Sequence, residues 1–345
     1  MTQSAWLADF QPTRIPEGRI IVTGAAGFIG SALVWALNRA GMNDIVLVDR
    51  LGKSQKFRNL VPLAFHEYCD ADDFLDKVEA HGLQHFGSIR TVIHLGACSR
   101  TLETDAQYLL RNNYEYTKRL AAVALSSKTR FVYASSAATY GQRENILDDT
   151  EPLRNLRPVN MYAYSKHLFD LYAEREGLLP HCVGLKYFNV FGPNEAHKGD
   201  MRSVIAKAYE QLQSKDVMEL FRSHRPDYRD GEQQRDFLYV KDAVDATLYL
   251  AATPQAHGLY NLGSGTPSTW NALMEHVFAA MQRPPQIAYI DMPIALRSAY
   301  QYSTIASLQR LRAVGYTREM TPLREAIFDY LPYLAGDRRM DPAYG

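Results

Sequence analysis

Cysteine is scarce in this 345-residue chain. Cys69, Cys98 and Cys182 are odd in number, far apart and without a CxxC pair. Neither a disulfide framework nor a structural zinc site is expected, and a reducing cytoplasm is the expected compartment. An excess of one charge is missing as well, since 38 Lys and Arg balance 38 Asp and Glu. That argues against a protein built around bulk nucleic-acid or anionic-membrane binding. The opening residues hold no basic stretch followed by an apolar one, so no signal peptide is expected. Residues 20–37 are uncharged and about as long as a membrane span, yet Gly24, Gly27 and Gly30 break them into strand, loop and helix. Internal repeats and low-complexity tracts are absent. What remains is an ordinary folded composition, 46% hydrophobic and 22% charged. At ~150 residues per domain the length suggests roughly two domains, or one large one with an appendage.

The order of patterns predicts an α/β fold. Short β-branched runs at 19–23, 44–49, 91–95 and 130–134 read as buried parallel strands. Helical stretches are expected at 31–40, 103–127 and 160–176, and another strand at 181–188. This alternation predicts a Rossmann-type, doubly wound parallel sheet. After Phe188 the pattern changes to a loop (FGPNEAHKGDM), a helix at 203–215 and a long charged loop (SHRPDYRDGEQQRD) suspected of function. Residues 236–252 return to a strand followed by a helix. The expected organisation is an N-terminal extension (1–18), a dinucleotide-binding domain (19–188, rejoined by 236–265) and a smaller C-terminal α/β substrate domain (189–235 and 266–345).

Gly24, Gly27 and Gly30 follow a strand and open a helix, a turn suited to close approach by a pyrophosphate at a helix N-terminus. A turn without a ligand would look similar. Asp49, nineteen residues past Gly30 at the end of the second strand, stands where an acid binds an adenosine ribose. Arg50, Lys53 and Lys56 follow, and such a cluster can hold a 2′-phosphate or simply be solvated. NADP is favoured on this ground, with NAD as the alternative. Tyr162 and Lys166 form a YxxxK pair on one helix face. A phenol with a pKa near 10 needs a neighbouring cation to act as an acid/base at neutral pH. Ser135 and Ser136 end a buried strand, where open sheets of this kind place ligands, although turn capping is the plainer reading. His94, His181, His197 and Cys98 share no ligand spacing, and no metal is expected.

The segments VTGAAGFIGS, HLGACS, NNYEYTK, YASSAATYG, YAYSK and KYFNVFGP together resemble the extended short-chain dehydrogenases/reductases that act on nucleotide sugars. The resemblance spans about 19–330. With KFRNL, the HKG loop, SHRPDYRDGEQQRDFLYVKD and AYQYST it narrows to the ADP-L-glycero-D-manno-heptose 6-epimerases. It implies an isomerase of lipopolysaccharide-core carbohydrate metabolism, epimerising an ADP-heptose at C6 by transient oxidation with a retained nicotinamide cofactor. It also implies that Tyr162 and Lys198 are the acid/base groups and that Ser136 bonds the reacting oxygen. Phe28, Ile29, Asp49, Arg50, Lys56, Leu95, Gly96, Ala97, Ser99, Asn112, Lys166 and Val190 would meet the cofactor. Ser136, Asn189, Lys198, Phe221, Arg235 and Tyr300 would meet the substrate. A homo-oligomer, with a pentamer as the form the family suggests, is the expected assembly, and no nucleic acid or membrane is an expected partner.

Three positions depart from the family pattern. Ala71 replaces a cofactor-side lysine, while Asp200 and Lys207 replace a small hydroxyl residue and a histidine. Two alternatives stay open. Another UDP- or GDP-sugar epimerase would share most of these motifs, and a non-catalytic nucleotide-sensing protein would share the fold. A dehydratase is disfavoured because Ala137 and Ala138, not acids, follow Ser136.

Overall fold

The computed structural model describes residues 10–297 and 300–343. Residues 1–9 of the expected extension lie outside them. Seven parallel strands form the central sheet: β1 (Arg19–Thr23), β2 (Ile45–Asp49), β3 (Glu67–Asp70), β4 (Ile89–His94), β5 (Arg130–Ser136), β7 (Cys182–Tyr187) and β11 (Gly258–Leu262). Their spatial order is β3-β2-β1-β4-β5-β7-β11. β6 (Asn145–Leu147) pairs outside this sheet, with β14 (Thr304–Ala306). The longer helices are α1 (Phe28–Arg39), α2 (Ala71–His81), α3 (106–126), α4 (Met161–Arg175), α5 (Val204–Ser214), α6 (Val240–Ala252), α7 (Trp270–Ala280) and α8 (Leu323–Ala335).

Period-two alternation builds a core on each face of the sheet. Ile20, Val22, Ile45 and Leu47 pack with α1 and α6 on one side. Ile21, Val46 and Val48 pack with α2, α3 and α4 on the other. Strands buried on both faces must be apolar throughout, hence the unbroken IIVT and IVLV runs. Strand order reverses between β1 and β4, so their carboxyl ends open a crevice.

Smaller sheets flank that crevice. β10 (Gln234–Tyr239) pairs with β8 (Asn189–Phe191) and β12 (Pro267–Thr269), and β9 (Met218–Phe221) pairs with β13 (Ile287–Ile290). Helices α5, α7 and α8 pack together beside them.

Three features differ from expectation. β3 and α2 had no clear pattern: four residues, EYCD, make the strand, and the Asp70 side chain caps the helix by accepting from Asp72 N. α3 starts at Ala106 rather than 103 and widens into a π turn over Leu110–Glu115. Residues 10–18 are not a free extension. Phe10 is 2% exposed and stacks on Trp35 of α1 at 4.9 Å, and Thr13 N donates to Asp245 Oδ1 of α6 at 3.1 Å. Burial of two apolar side chains, Phe10 and Ile15, holds this strap down.

Among the described residues no helix is long and apolar enough to cross a membrane.

Candidate active site

A cavity of about 1250 Å³ opens over the carboxyl ends of β1, β2, β4 and β5. Seven Lys or Arg side chains line it (Arg50, Lys53, Lys56, Arg100, Lys166, Lys198 and Arg235) against two acids, Asp49 and Asp200. A chain of zero net charge has therefore concentrated positive charge here, which suits polyanionic ligands. The volume exceeds the upper end of single-ligand pockets, roughly 1,000 Å³, and has room for two molecules.

The glycine turn forms one wall. Gly24 has φ +68°, and a Cβ there would lie 2.7 Å from Gly96 N. A Cβ on Gly30 would lie 2.0 Å from Gly24 O, so the helix can reach the turn only without a side chain. Gly27 caps α1 with no side-chain hydrogen bond, and the first turn of the helix carries no acid. Its amide end faces the cavity through Gly27, Phe28, Ile29 and Gly30. These residues fit the pyrophosphate of a dinucleotide.

Asp49 closes one end of the cavity. Its Oδ2 accepts from Ala26 N at 2.8 Å, and its Oδ1 from Arg50 N at 2.7 Å and Lys56 Nζ at 2.6 Å. Arg50 turns its guanidinium to Asp72 and to Asn112 Oδ1 at 2.7 Å. Lys53 is exposed on the rim.

Tyr162 and Lys166 sit one turn apart near the start of α4, which Asn160 caps by accepting from Ala163 N at 2.8 Å. Tyr162 lines the cavity with Ser136, where β5 ends and Ser136 Oγ accepts from Ala138 N at 3.2 Å. Burial raises the phenol's pKa, and the nearby Ser136 side chain opposes the rise. Lys166 Nζ donates to Ala134 O at 2.8 Å, and burial pushes it down to about 8 despite Asp170 nearby. One turn further, buried Asp170 accepts from Tyr133, Ser135 and Lys186 Nζ, fastening α4 to β5 and β7. Ser135 is thus spent on the scaffold, while Ser136 faces the cavity.

Lys198 comes from the loop after β8. Its Nζ lies 4.9 Å from the centre of the Phe28 ring, and burial lowers its pKa, helped by Lys207 and opposed by Glu195. His94 lies beneath the site, bonded to Thr23 and Thr117 at 2.6 and 2.9 Å and pushed down to about 3 by burial. It is a neutral core link.

Every expected catalytic and cofactor residue lines this one cavity, as do Asn189 and Arg235. Two expected substrate residues do not. Phe221 lies in β9, paired with Ile290, away from the lining. Tyr300 stands behind Arg235 with its ring 5.1 Å from the guanidinium, so it supports that side chain instead of lining the cavity. Ala71 and Asp200 both line it, whereas Lys207 does not.

Thr101 also lines the cavity and had no motif to announce it, while Met201, Gln301 and Thr304 line it from within FGPNEAHKGDM and AYQYST without having been singled out. Asn113, buried in the π turn, bonds both backbone groups of Cys98 and the Ser165 hydroxyl. Its neighbour in NNYEYTK was the residue expected to matter.

Comparison with known proteins agrees with this geometry. The model of the NAD dependent epimerase/dehydratase family matches residues 20–263. The ADP-L-glycero-D-manno-heptose-6-epimerase of Nitratidesulfovibrio vulgaris is 50% identical over 317 residues, 91% of this chain and 98% of that protein. The crystal structure of the Helicobacter pylori ADP-L-glycero-D-manno-heptose-6-epimerase superposes with a TM-score of 0.76 at 26% identity, covering 94% of this chain and 97% of that one. MoeE5 in complex with UDP-glucose and NAD gives 0.72 at 26% identity, covering 93% and 100%. The chain belongs to the ADP-L-glycero-D-manno-heptose-6-epimerases of the NAD dependent epimerase/dehydratase family.

Proposed function

We propose that this chain interconverts the two C6 epimers of ADP-glycero-D-manno-heptose, with Tyr162 and Lys198 as its two acid/base groups and NADP held in place through the cycle. The observation that carries this reading is that one cavity is lined by both Tyr162 of α4 and Lys198 of a separate loop. A one-way dehydrogenase needs a single proton-transfer group beside the reacting carbon. Inversion needs one for each orientation of the substrate.

The bound nicotinamide supplies a hydride acceptor and donor for C6. The protein supplies proton handling and placement. Tyr162 exchanges a proton with the C6 oxygen in one orientation, and the Ser136 hydroxyl, lining the same cavity, bonds the same oxygen. Lys166 adds positive charge nearby, which favours the phenolate. In the other orientation Lys198, with its pKa lowered by burial, takes the same part. Arg235 receives the diphosphate: it lines the cavity, and its guanidinium lies over Tyr300 and Trp270. Ala137 and Ala138 beside Ser136 supply no acid for elimination, which favours epimerisation over dehydration.

Lys56, bonded to Asp49, supports NADP by neutralising the acid that would repel a 2′-phosphate. The free cysteines Cys69, Cys98 and Cys182 suit the reducing cytoplasm. A homo-oligomer follows the family expectation, and its mass in solution tests that.

Proton NMR of the purified protein with ADP-D-glycero-D-manno-heptose, and no added cofactor, tests the whole reading. The L-glycero epimer is expected to appear without net cofactor reduction. Tyr162→Phe and Lys198→Met should each slow turnover by about 10²–10⁴-fold. No epimer, even with NADP and NAD added, overturns the heptose assignment and directs the search to UDP- and GDP-sugars.

A further inference from the structure

Asn59 takes no part in the chemistry described above, yet it is 1% exposed and sits between the two halves of the site. Its Nδ2 lies 3.1 Å from Ala26 O, 3.0 Å from Asn194 O and 3.2 Å from His197 Nδ1. Ala26 belongs to the glycine turn, while Asn194 and His197 belong to the loop that carries Lys198. A carboxamide has two N–H donors, so three acceptors converge on two protons.

The rest of that loop is fastened at its base. Glu195, 1% exposed, accepts from Ser203 N and Ser203 Oγ at 2.6 Å each and from Tyr330 at 2.9 Å, tying the two feet together. Asn194, with φ +75°, donates to Ser31 Oγ at 3.0 Å and accepts from Met340 N at 2.9 Å. Beyond these feet the loop is held more lightly. Gly199 has φ +55°, and a Cβ there would meet nothing within 4 Å. Besides the Asn194 bond to Ser31 at the loop's foot, the Lys198 contact with Phe28 and a long Thr101 to Met201 contact of 4.0 Å, Asn59 supplies a polar link from loop to cofactor wall. His197 can take the part of acceptor: burial and the charges of Lys56 and Lys198 push it down to about 4, so it is neutral, and the tautomer with its proton on Nε2 offers the Nδ1 lone pair to Asn59.

We propose that Asn59 is a positioning residue for Lys198, bridging the glycine turn and the 194–198 loop so that the second acid/base group is held in register with the cofactor site. The inference rests on the role given to Lys198 above. It has a directional consequence. Loss of the bridge should slow the hydride transfer that uses Lys198 and spare the one that uses Tyr162.

The test uses holoenzyme with its retained cofactor, mixed rapidly with each pure heptose epimer while absorbance at 340 nm reports hydride transfer. Lys198→Met identifies the epimer that depends on Lys198. Asn59→Ala is expected to slow transfer from that same epimer by about tenfold or more, since an ångström of misplacement is costly, and to change transfer from the other epimer by less than about twofold. In the same protein, cofactor content per chain should be unchanged, and Lys198 should be labelled faster by an amine reagent, read by peptide mass spectrometry. His197→Leu removes one acceptor and should give a smaller effect with the same selectivity. It keeps the test decisive if Asn59→Ala does not fold. Equal slowing with both epimers, or unchanged Lys198 labelling, overturns the proposal. A Lys198→Met variant without selectivity overturns the Lys198 reading itself, a distinct result.

Discussion

Lys56 donates to the Asp49 carboxylate at 2.6 Å, and both side chains line the cavity at the end where the ribose of a dinucleotide is expected. A free carboxylate there repels a 2′-phosphate, whereas one already bonded to an ammonium repels it far less. Of the basic cluster 50–56, Arg50 is engaged by Asp72 and Lys53 lies exposed on the rim, so Lys56 decides the sign. Lys56→Ala is expected to weaken NADP by about 10–100-fold, the worth of one hydrogen bond to a charged group, and NAD by less than about threefold. Calorimetric titration of cofactor-stripped protein with each dinucleotide measures this. Equal losses would place the 2′-phosphate elsewhere.

Arg235 presents a different balance. It donates to Gln234 O at 2.8 Å and lies over two rings, which are themselves joined by a bond from Trp270 Nε1 to the Tyr300 hydroxyl at 2.9 Å. A planar guanidinium suits both the rings and a bidentate grip on phosphate, and an ammonium suits neither as well. Arg235→Lys should raise KM for the ADP-heptose by about 10–100-fold with kcat changed far less. An unchanged KM would remove Arg235 from the diphosphate site.

Gly30 tests the architecture of the turn. An alanine Cβ would lie 2.0 Å from Gly24 O, a backbone atom that can move only by shifting the turn. Gly30→Ala is expected to cost about 1–3 kcal/mol of stability, as overpacking does, and to lose bound cofactor during purification. Thermal melts and the absorbance of the purified protein check both. A protein that keeps its cofactor and its melting temperature would show that the α1 terminus is not what holds the pyrophosphate.

Features set within a few residues of a strand end were legible in the sequence. The glycines after β1, Asp49 at the end of β2, Ser136 at the end of β5 and the i, i+4 pair in α4 each follow from local geometry, and the cavity gathers them. Long-range contacts leave no such trace. Asn59 matters through partners 33 to 138 residues away. Gln301 reaches the site through bonds to Gly141 O and Arg143 O. The π turn that aims Asn113 at Cys98 breaks a 3.6-residue period that composition alone would continue. Phe221 and Tyr300 were placed by resemblance alone, and packing of β9 and of the Arg235 ring stack decides where such side chains end. The strap at 10–18 depends on two apolar side chains, Phe10 and Ile15, in a polar stretch, too few for a pattern.

Asp242 gives the protein a pH-dependent stability that can be read apart from activity. It lies buried in the first turn of α6, where Oδ2 accepts from Thr321 N and Oδ1 from the Thr321 hydroxyl, both at 2.9 Å. Burial pushes its carboxyl up to about 7, assisted by Asp245 and opposed by the Thr321 bonds and Arg318. The unfolded chain releases this proton near pH 4, roughly the ordinary carboxyl value. Between about pH 4 and 7 the folded state therefore holds more protons than the unfolded state, and this group's contribution to stability falls as pH rises through that window. Asp242→Asn copies the protonated form. Its oxygen can still accept from Thr321 N, and its amide can donate to the Thr321 hydroxyl. The variant should match the natural protein near pH 4 and become the more stable of the two as pH approaches 7 and above. Denaturant melts at a series of pH values measure the difference. A gap that does not widen between pH 4 and 7 would mean that Asp242 is ionised in the folded protein throughout, with its charge met by Arg318 and the Thr321 donors.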